Sequence, residues 1–282
     1  MEDFDNPIDI YIVGTGMVGY RQMTEEADAA LRNSETTYLV HYQKVVADYL
    51  EDTTASELTD VSGELVNLTD EYEEDEDRKN TYERMASRVI EGAEEANKPV
   101  CFALYGHPNV FVSPTEWIAE EAEDRGMNVD IRPGVSSMDA LYCDLMLDPS
   151  RNGIQMFEAT DLLVREFDLN PKVPAFIWQI GTLETALYTT ADSSPERFER
   201  FREYLERFYP SDHTVYICQT AVYPTTESKQ IPVEIGGFEQ MHDRINGVQT
   251  LYVPAVEQKE VVNEEMQEEI VSSDHLETIT QD

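Results

Sequence analysis

A short apolar run ends in the sequence Leu104-Tyr105-Gly106-His107-Pro108-Asn109-Val110-Phe111. The run 99–104 predicts a buried strand, and the Gly, His and Pro that follow predict a tight turn. A helix signal comes next, at Ser113-Pro114-Thr115-Glu116. Since ligands bind beyond the carboxyl ends of strands in an α/β sheet, we interpret this turn as a binding loop.

Strand and helix patterns alternate on both sides of the turn. Strands are predicted at 8–13, 36–40, 65–68, 100–104, 128–131, 154–158, 175–180, 214–219, 231–235 and 251–253. Helices are predicted after Thr24 and at 44–50, 78–97, 136–145 and 193–208, the last with Ser193-Ser194-Pro195-Glu196 as its capping signal. The alternation predicts an α/β protein with two consecutive α/β domains, residues 1–133 and 134–256, and an acidic tail at 257–282.

The charge balance limits the class of partner. The 282 residues include 20 basic and 58 acidic side chains, a net charge of −38. This excludes nucleic acid as a partner, because no basic stripe is available to contact phosphates. The acidity indicates either adaptation to a salt-rich cytoplasm or attraction of a basic partner. With no apolar run near the roughly 18 residues of a membrane span, and no signal region at the acidic N-terminus, we expect a cytoplasmic protein without membrane contact.

Neither cysteine nor histidine spacing predicts a cross-link or a metal site. The cysteines Cys101, Cys143 and Cys218 lie in apolar strand or helix patterns, so we expect three small buried side chains. The five histidines show no ligand spacing, and no metal is expected.

A glycine pattern follows the first predicted strand. The segment Gly14-Thr15-Gly16-Met17-Val18-Gly19 matches G-x-G-x-x-G, the fingerprint of dinucleotide-binding loops. That fingerprint also needs an acidic residue at the end of the second strand to bind a ribose. Here the second strand ends in Leu39-Val40-His41-Tyr42, and the next helix begins late, at Thr24. The sequence therefore disfavours a nicotinamide dinucleotide site.

Tyrosine and arginine side chains near the long predicted helix are candidates for acid–base chemistry. Arg78 and Tyr82 are four residues apart and share a helix face, and Tyr72 lies just before the helix. An arginine beside a tyrosine favours the phenolate, which is the form that can take up a proton. The alternative is an ordinary arginine–tyrosine stack on a surface helix.

Polar side chains in two turns also have two interpretations each. His107 is a candidate general base, or a turn histidine that bonds to the backbone. Ser136 and Ser137 follow Pro133-Gly134 and are candidate nucleophiles, but no His–Asp pair accompanies them. A helix-capping role for Ser136 is the simpler interpretation.

Several motifs occur together in one order. They are Tyr11-Ile12-Val13-Gly14-Thr15-Gly16 with Gln22-Met23-Thr24, then Tyr105-Gly106-His107-Pro108, then Pro133-Gly134-Val135-Ser136. In combination, over residues 8 to 255, they resemble the tetrapyrrole (corrin/porphyrin) methylase superfamily. The resemblance implies S-adenosylmethionine as cofactor, bound in the cleft between two α/β domains.

Within that superfamily, further motifs resemble the borosin peptide-backbone α-N-methyltransferases. They are 78–85 (RKNTYERM), 105–112 (YGHPNVFV), 148–150 (DPS), 157–161 (FEATD) and 247–254 (GVQTLYVP). Tetrapyrrole-directed members usually have Gly-Asp-Pro in place of Gly106-His107-Pro108 and lack the Arg-x-Asn-Thr-Tyr run. These two departures favour a peptide substrate over a porphyrin.

The resemblance implies site residues position by position. The catalytic set falls on Tyr72, Arg78 and Tyr82, with Tyr105 as a further phenol. The cofactor positions fall on Leu104, Gly106, His107, Val110, Ser136, Ser137, Gln179 and Thr250. Which tyrosine is the base stays open.

The resemblance also implies partners. Family members are homodimers, so a homodimer is expected, and fungal members carry their substrate as a C-terminal extension. The tail here is short and acidic and lacks a Val/Ile-rich core, so we expect the split form, in which a separate precursor peptide is methylated in trans. The alternatives are a methylase of tetrapyrroles or other small molecules, and a variant that methylates its own C-terminal tail.

Overall fold

A computed structural model describes residues 7–41, 63–223, 226–257 and 260–281, with backbone only at Tyr20 and Arg21. The helix predicted at 44–50 lies outside the described residues. Each half of the chain contains one five-stranded sheet, and the prediction of an α/β protein is confirmed.

The first sheet is parallel throughout, in the order β3-β2-β4-β1-β5. Its strands are β1 (Ile10–Gly14), β2 (Thr36–Val40), β3 (Glu64–Asn67), β4 (Val100–Leu104) and β5 (Val129–Arg132). Its helices are α1 (Glu25–Asn33), α2 (Arg78–Glu95) and α3 (Ser113–Asp124). All five side chains of the central strand β4 are buried, because helices cover both faces of the sheet.

The second sheet has the order β6-β7-β10-β8-β9, in which only the β6–β7 pair is parallel. Its strands are β6 (Gln155–Glu158), β7 (Ala175–Trp178), β8 (Thr214–Gln219), β9 (Lys229–Glu234) and β10 (Thr250–Val253). The helices of this half are α4 (Ser137–Asp144), α5 (Pro149–Asn152), α6 (Ala159–Arg165) and α7 (Glu196–Leu205). Phe198 and Phe201 on α7 pack against Phe238 in the core beside this sheet.

Helix starts follow the predicted caps at two positions and depart from them at a third. The Thr24 hydroxyl accepts from the Ala27 N–H at the start of α1, and Ser136 forms a capping box with Asp139 at the start of α4. The prediction that serines cap α7 is wrong, since its N-cap is Pro195 with no side-chain bond. The Ser193 hydroxyl instead accepts a hydrogen bond from Arg197.

Two further features differ from, or add to, the sequence predictions. Cys143 is exposed on α4, so the prediction of three buried thiols is wrong at this position, although Cys101 and Cys218 are buried.

The C-terminal segment contains two short helices, α8 (Glu264–Glu269) and α9 (Ser273–Ile279), with no buried residue in either. Across the described ranges, no helix combines the length and apolar composition that crossing a bilayer requires.

Three glycines bring backbone segments of the first half into direct contact. Gly14 ends β1, Gly106 follows β4, and Gly134 follows β5. A Cβ atom at Gly14 would lie 2.4 Å from the Gly106 oxygen and 2.7 Å from the Gly134 nitrogen. A Cβ atom at Gly134 would meet the same Gly106 oxygen at 2.4 Å. Only glycine permits this approach, because the colliding atoms are backbone and cannot rotate away.

We expect Gly134→Ala to lower the free energy of unfolding by about 3 kcal/mol or more, since backbone must shift to admit the methyl group. Gly237→Ala is the matched control, because its Cβ would meet nothing within 4 Å. Urea denaturation of both variants measures the difference. Equal, small effects at the two positions would contradict the close approach.

Candidate functional site

A small cavity lies between the two halves, at the turn after β4. Its volume is ≈ 90 Å³. The first half contributes Met17, Tyr105, Gly106, His107, Val110, Phe111 and Val112. The part of the chain that follows β5 contributes Ser136, Ser137, Trp178, Gln179, Gly247, Val248, Gln249 and Thr250.

Seven of the eight sequence-predicted cofactor positions line this cavity. They are Gly106, His107, Val110, Ser136, Ser137, Gln179 and Thr250. Leu104 is not among the lining residues, because its side chain is buried in the core beside α2. Its backbone oxygen accepts from the Thr15 N–H and hydroxyl, so Leu104 orders the loop that borders the cavity. The cofactor roles of these residues stay predictions.

Hydrogen bonds show which polar groups of the cavity wall are already engaged. The His107 Nδ1 accepts from the Asn109 N–H at 3.1 Å, as the turn-histidine interpretation predicts. The Ser136 hydroxyl donates to the Asp139 carboxylate within the capping box, so this hydroxyl is engaged in capping the helix. The Ser137 hydroxyl accepts from the Trp178 indole N–H at 3.3 Å and keeps its own proton for another acceptor.

The glycine pattern 14–19 does not form a phosphate cradle. The Gly16 N–H donates to the Gly106 oxygen at 3.2 Å, and the Gly106 N–H donates to the Gly16 oxygen at 2.9 Å. The chain then makes a short 3₁₀ turn at Gly19–Gln22, well before α1 begins. The Gly16 N–H is therefore engaged within the protein.

Aromatic side chains narrow the cavity. The Phe111 ring lies 5.2 Å from the Trp178 ring, and Phe111 adopts a left-handed backbone conformation with φ +57°. Small-molecule pockets typically enclose about 300–1,000 Å³, so a ligand of nucleoside size must displace part of this wall. Phe111 is 45% exposed.

The predicted catalytic tyrosines meet beside this cavity. The rings of Tyr72 and Tyr82 are 6.2 Å apart in an edge-to-face pair. Burial raises the pKa of Tyr105 to about 12, with the nearby Tyr82 as a second cause. Burial likewise raises the pKa of Tyr72 well above 10, helped by Tyr82 and Tyr105. Tyr72 and Tyr105 are therefore neutral phenols at physiological pH.

Arg78 lies at the first turn of α2, and its guanidinium bonds to backbone oxygens. It donates to the Thr185 oxygen at 2.7 Å and to the Ala186 oxygen at 3.1 Å. Its positive charge lowers the pKa of Tyr72, but this is the smallest of the contributions and burial outweighs it. Arg78 therefore favours the Tyr72 phenolate, in the direction that the sequence predicts, but burial keeps the phenol protonated.

Two larger openings adjoin the small cavity. One, ≈ 720 Å³, is lined by all four predicted catalytic residues, Tyr72, Arg78, Tyr82 and Tyr105. The other, ≈ 550 Å³, is also lined by Arg78 and Tyr82. Gln179 lines both openings and the small cavity, and its backbone is left-handed, with φ +59°. The small cavity thus meets a longer cleft at Gln179.

His41 packs against a predicted site residue, Tyr105, and had no role in the sequence predictions. It follows β2, is 1% exposed, and its ring lies 5.2 Å from the Tyr105 ring. Burial lowers its pKa to about 4, so the imidazole is neutral near pH 7. In the sequence, His41 is marked only by its position at the end of the second strand. Dinucleotide-binding folds have an acidic residue at that position.

In the part of the chain that the structure describes, no three His, Cys, Asp or Glu side chains converge as metal ligands.

Comparison with known proteins identifies the family. Residues 9–234 match the family described as Tetrapyrrole (Corrin/Porphyrin) Methylases. This chain belongs to that family. The family uses S-adenosylmethionine as methyl donor, and the methylase fold also relates this chain to solved structures. The uroporphyrin-III-C-methyltransferase of Thermus thermophilus superposes with a TM-score of 0.57 at 17% identity, covering 88% of this chain and 92% of that one.

Curated relatives of this methylase are more similar in sequence. It is 33% identical over 247 residues to the methyltransferase/ribosomally synthesized type I borosin cyclic peptide precursor of Coprinopsis marcescibilis. It is 28% identical over 257 residues to the methyltransferase/ribosomally synthesized cyclic peptide dendrothelin A precursor of Dendrothele bispora. The matches cover 86% and 90% of this chain but only 61% and 60% of the two relatives.

The buried His41 makes a pH prediction for this methylase. In the unfolded chain its imidazole takes up a proton near pH 6.5, whereas in the folded protein it stays neutral down to about pH 4. The free energy of unfolding should therefore fall by about 2–3 kcal/mol as pH drops through this window. His41→Gln should remove this share of the pH dependence, measured by denaturation at constant salt.

His275→Gln, in the C-terminal helix α9, is the control for loss of one imidazole. If His41→Gln and wild type lose stability in parallel between pH 6.5 and 4, His41 is not a buried neutral group.

Proposed function

We propose that this methylase transfers methyl groups from S-adenosylmethionine to backbone amide nitrogens of a peptide. The observation that carries the proposal is the placement of Tyr72, Tyr82, Tyr105 and Arg78 along one cleft, directly beside the predicted donor cavity. The names of its borosin relatives support a peptide substrate. A cleft with two openings also suits an extended chain better than a compact macrocycle.

The cavity wall fits the proposed donor. The turn at Gly106, with φ +70°, brings backbone to the cavity where a side chain would meet the Met17 sulfur at 3.3 Å. Ser137 and Thr250 offer hydroxyls, and Phe111 and Trp178 offer aromatic faces for an adenine ring. When bound, S-adenosylmethionine supplies an electrophilic methyl group on its sulfonium.

A backbone amide nitrogen is a poor nucleophile, because its lone pair is delocalised into the carbonyl. The cleft must therefore hold the amide, remove its proton and stabilise the oxygen that gains charge. Tyr82 lies on the same cleft wall, in an edge-to-face pair with Tyr72. Because burial keeps Tyr72 and Tyr105 protonated, we assign the proton acceptor to Tyr82: its phenolate takes the amide proton after its own hydroxyl proton has passed to solvent.

The remaining polar groups suit the oxygen of the imidate. Arg78 uses its Nε and Nη2 for backbone oxygens, and among the described residues its Nη1 has no protein acceptor, so Nη1 can donate to substrate. Tyr105, a neutral phenol, is a further donor on the same cleft wall. The arrangement is an oxyanion site of neutral and cationic donors beside one proton acceptor.

We further propose that the substrate is a separate precursor peptide, that the enzyme works as a homodimer, and that it acts in the cytoplasm. The described C-terminal residues 260–281 are acidic and exposed rather than placed in the cleft. A second candidate is methylation of this C-terminal segment itself, because the relatives are named as methyltransferase/precursor fusions. Mass spectrometry of the purified chain distinguishes the two: methyl groups on the chain itself support the second.

We expect Arg78→Ala to reduce peptide methylation by about 10²–10³-fold, because an oxyanion donor is lost, while binding of S-adenosylmethionine persists. Mass spectrometry of a precursor co-expressed with the enzyme measures methylation, and calorimetry measures donor binding. Arg125→Ala is the control, since Arg125 pairs with Glu94 and Glu121 outside the cleft. Undiminished methylation by Arg78→Ala would contradict the assignment.

A further inference from the structure

The catalytic loop of the first half is held by a segment of the second half. Residues 185–190, here termed the latch, follow β7 and its 3₁₀ turn. They lie against residues 72–78, which contain Tyr72 and lead into α2. More than 100 residues of sequence separate the two segments.

Backbone hydrogen bonds join the latch to this loop. The Asp75 N–H donates to the Tyr188 oxygen at 2.9 Å, and the Tyr188 N–H donates to the Glu76 oxygen at 2.8 Å. The Arg78 N–H donates to the Ala186 oxygen at 3.0 Å. The two segments thus run antiparallel, with Asp77 opposite Leu187 as an isolated bridge.

Charged side chains reinforce the pairing at both ends. At one end the Glu74 carboxylate accepts bonds from the Thr189 hydroxyl and from the N–H and hydroxyl of Thr190. These bonds lower the pKa of Glu74. At the other end the Arg78 guanidinium bonds to the Thr185 and Ala186 oxygens. Charge-assisted bonds of this kind are stronger than neutral ones.

The side chain of Tyr188, in the latch, packs against the side chain of Tyr72, which belongs to the proposed catalytic set. The Tyr188 ring lies 4.9 Å from the Tyr72 ring, on the side of the larger opening that both residues line. Tyr72 therefore contacts Tyr82 and Tyr188. Within the described residues the Tyr188 hydroxyl has no hydrogen-bond partner, so its contact is made by the ring alone.

We propose that the latch assembles the catalytic set from the two halves of the chain, and that Tyr188 is a positioning residue for Tyr72. This inference rests on the proposed function. The latch contacts two groups of the proposed catalytic set: the Tyr72 ring, through Tyr188, and the Arg78 guanidinium, through two backbone oxygens. A displacement of about 1 Å at such groups is enough to reduce turnover on the order of 100-fold.

A purely structural contact makes different predictions from a positioning one. Loss of interdomain packing would weaken donor binding and stability together with turnover. Loss of positioning lowers kcat while the donor affinity and the melting temperature stay near wild type, because the donor cavity has no lining residue in the latch.

The first test compares Tyr188→Phe with Tyr188→Ala. Phenylalanine keeps the ring that packs on Tyr72, so we expect kcat for peptide methylation within about twofold of wild type. Alanine removes the ring, and we expect kcat to fall on the order of 10-fold or more at unchanged donor affinity. Equal activity of Tyr188→Ala and wild type overturns the proposal, as does an equal loss in Tyr188→Phe.

The second test uses Glu74→Gln with Glu73→Gln as the matched control. Both remove one negative charge from the same loop, but only Glu74 bonds to the latch. We expect a lower kcat in Glu74→Gln alone. A similar effect in both variants indicates general electrostatics and overturns the role of the latch.

Hydrogen exchange separates this inference from the proposed function. In Tyr188→Ala the amides of Asp75 and Arg78, which bond to the latch, should exchange faster, while the amides of β4 keep their protection. If the wild-type protein methylates no peptide, but the amides of Asp75 and Arg78 exchange faster in Tyr188→Ala, the proposed function is wrong and the structural role of the latch is supported. If exchange at Asp75 and Arg78 is unchanged, the latch is overturned whatever the activity.

Discussion

Contact between the backbones of Gly14, Gly106 and Gly134 is the constraint on which the rest of the structure depends. At these positions the ends of β1 and β4 and the loop after β5 approach more closely than any Cβ atom allows. The approach sets the path of the turn after β4, and that turn forms one wall of the small cavity. The site is therefore shaped by the absence of side chains at these three glycines. The neighbouring side chains form the rest of its wall.

The polar chemistry of the cleft depends on burial more than on charge. Tyr72 and Tyr105 stay protonated because the protein around them stabilises the neutral form, and His41 stays unprotonated for the same reason. This is unexpected in a chain with a net charge of −38, where acidic residues dominate the surface. Arg78 carries positive charge into the cleft, whose wall also includes the acidic residues Asp70, Asp192 and Asp243.

Sequence patterns were sufficient where local forces determine structure. The apolar runs placed the strands within a few residues, and Thr24 and Ser136 cap helices as their side chains predict. The family resemblance indicated the cavity wall from Gly106 to Thr250, although Leu104 contributes only its backbone. Prediction failed for Cys143 and Ser193, where tertiary neighbours decide exposure and bonding.

The latch could not have been predicted, because backbone-to-backbone bonds leave no signature in residue type. The same holds for the partners of Arg78, which are carbonyl oxygens from the other half of the chain. Their spacing on a helix showed that Arg78 and Tyr82 share a face of α2. It did not show which residues of the second half contact that face. Such partners become visible only when both halves are placed together.

The latch also forms part of the wall of both openings of the cleft. Arg78 and Ala186 line one opening, and Arg78 and Tyr188 line the other. The backbone bond between Arg78 and Ala186 therefore holds the rims of both openings at once, so a change in this one pairing alters both ends of the cleft together.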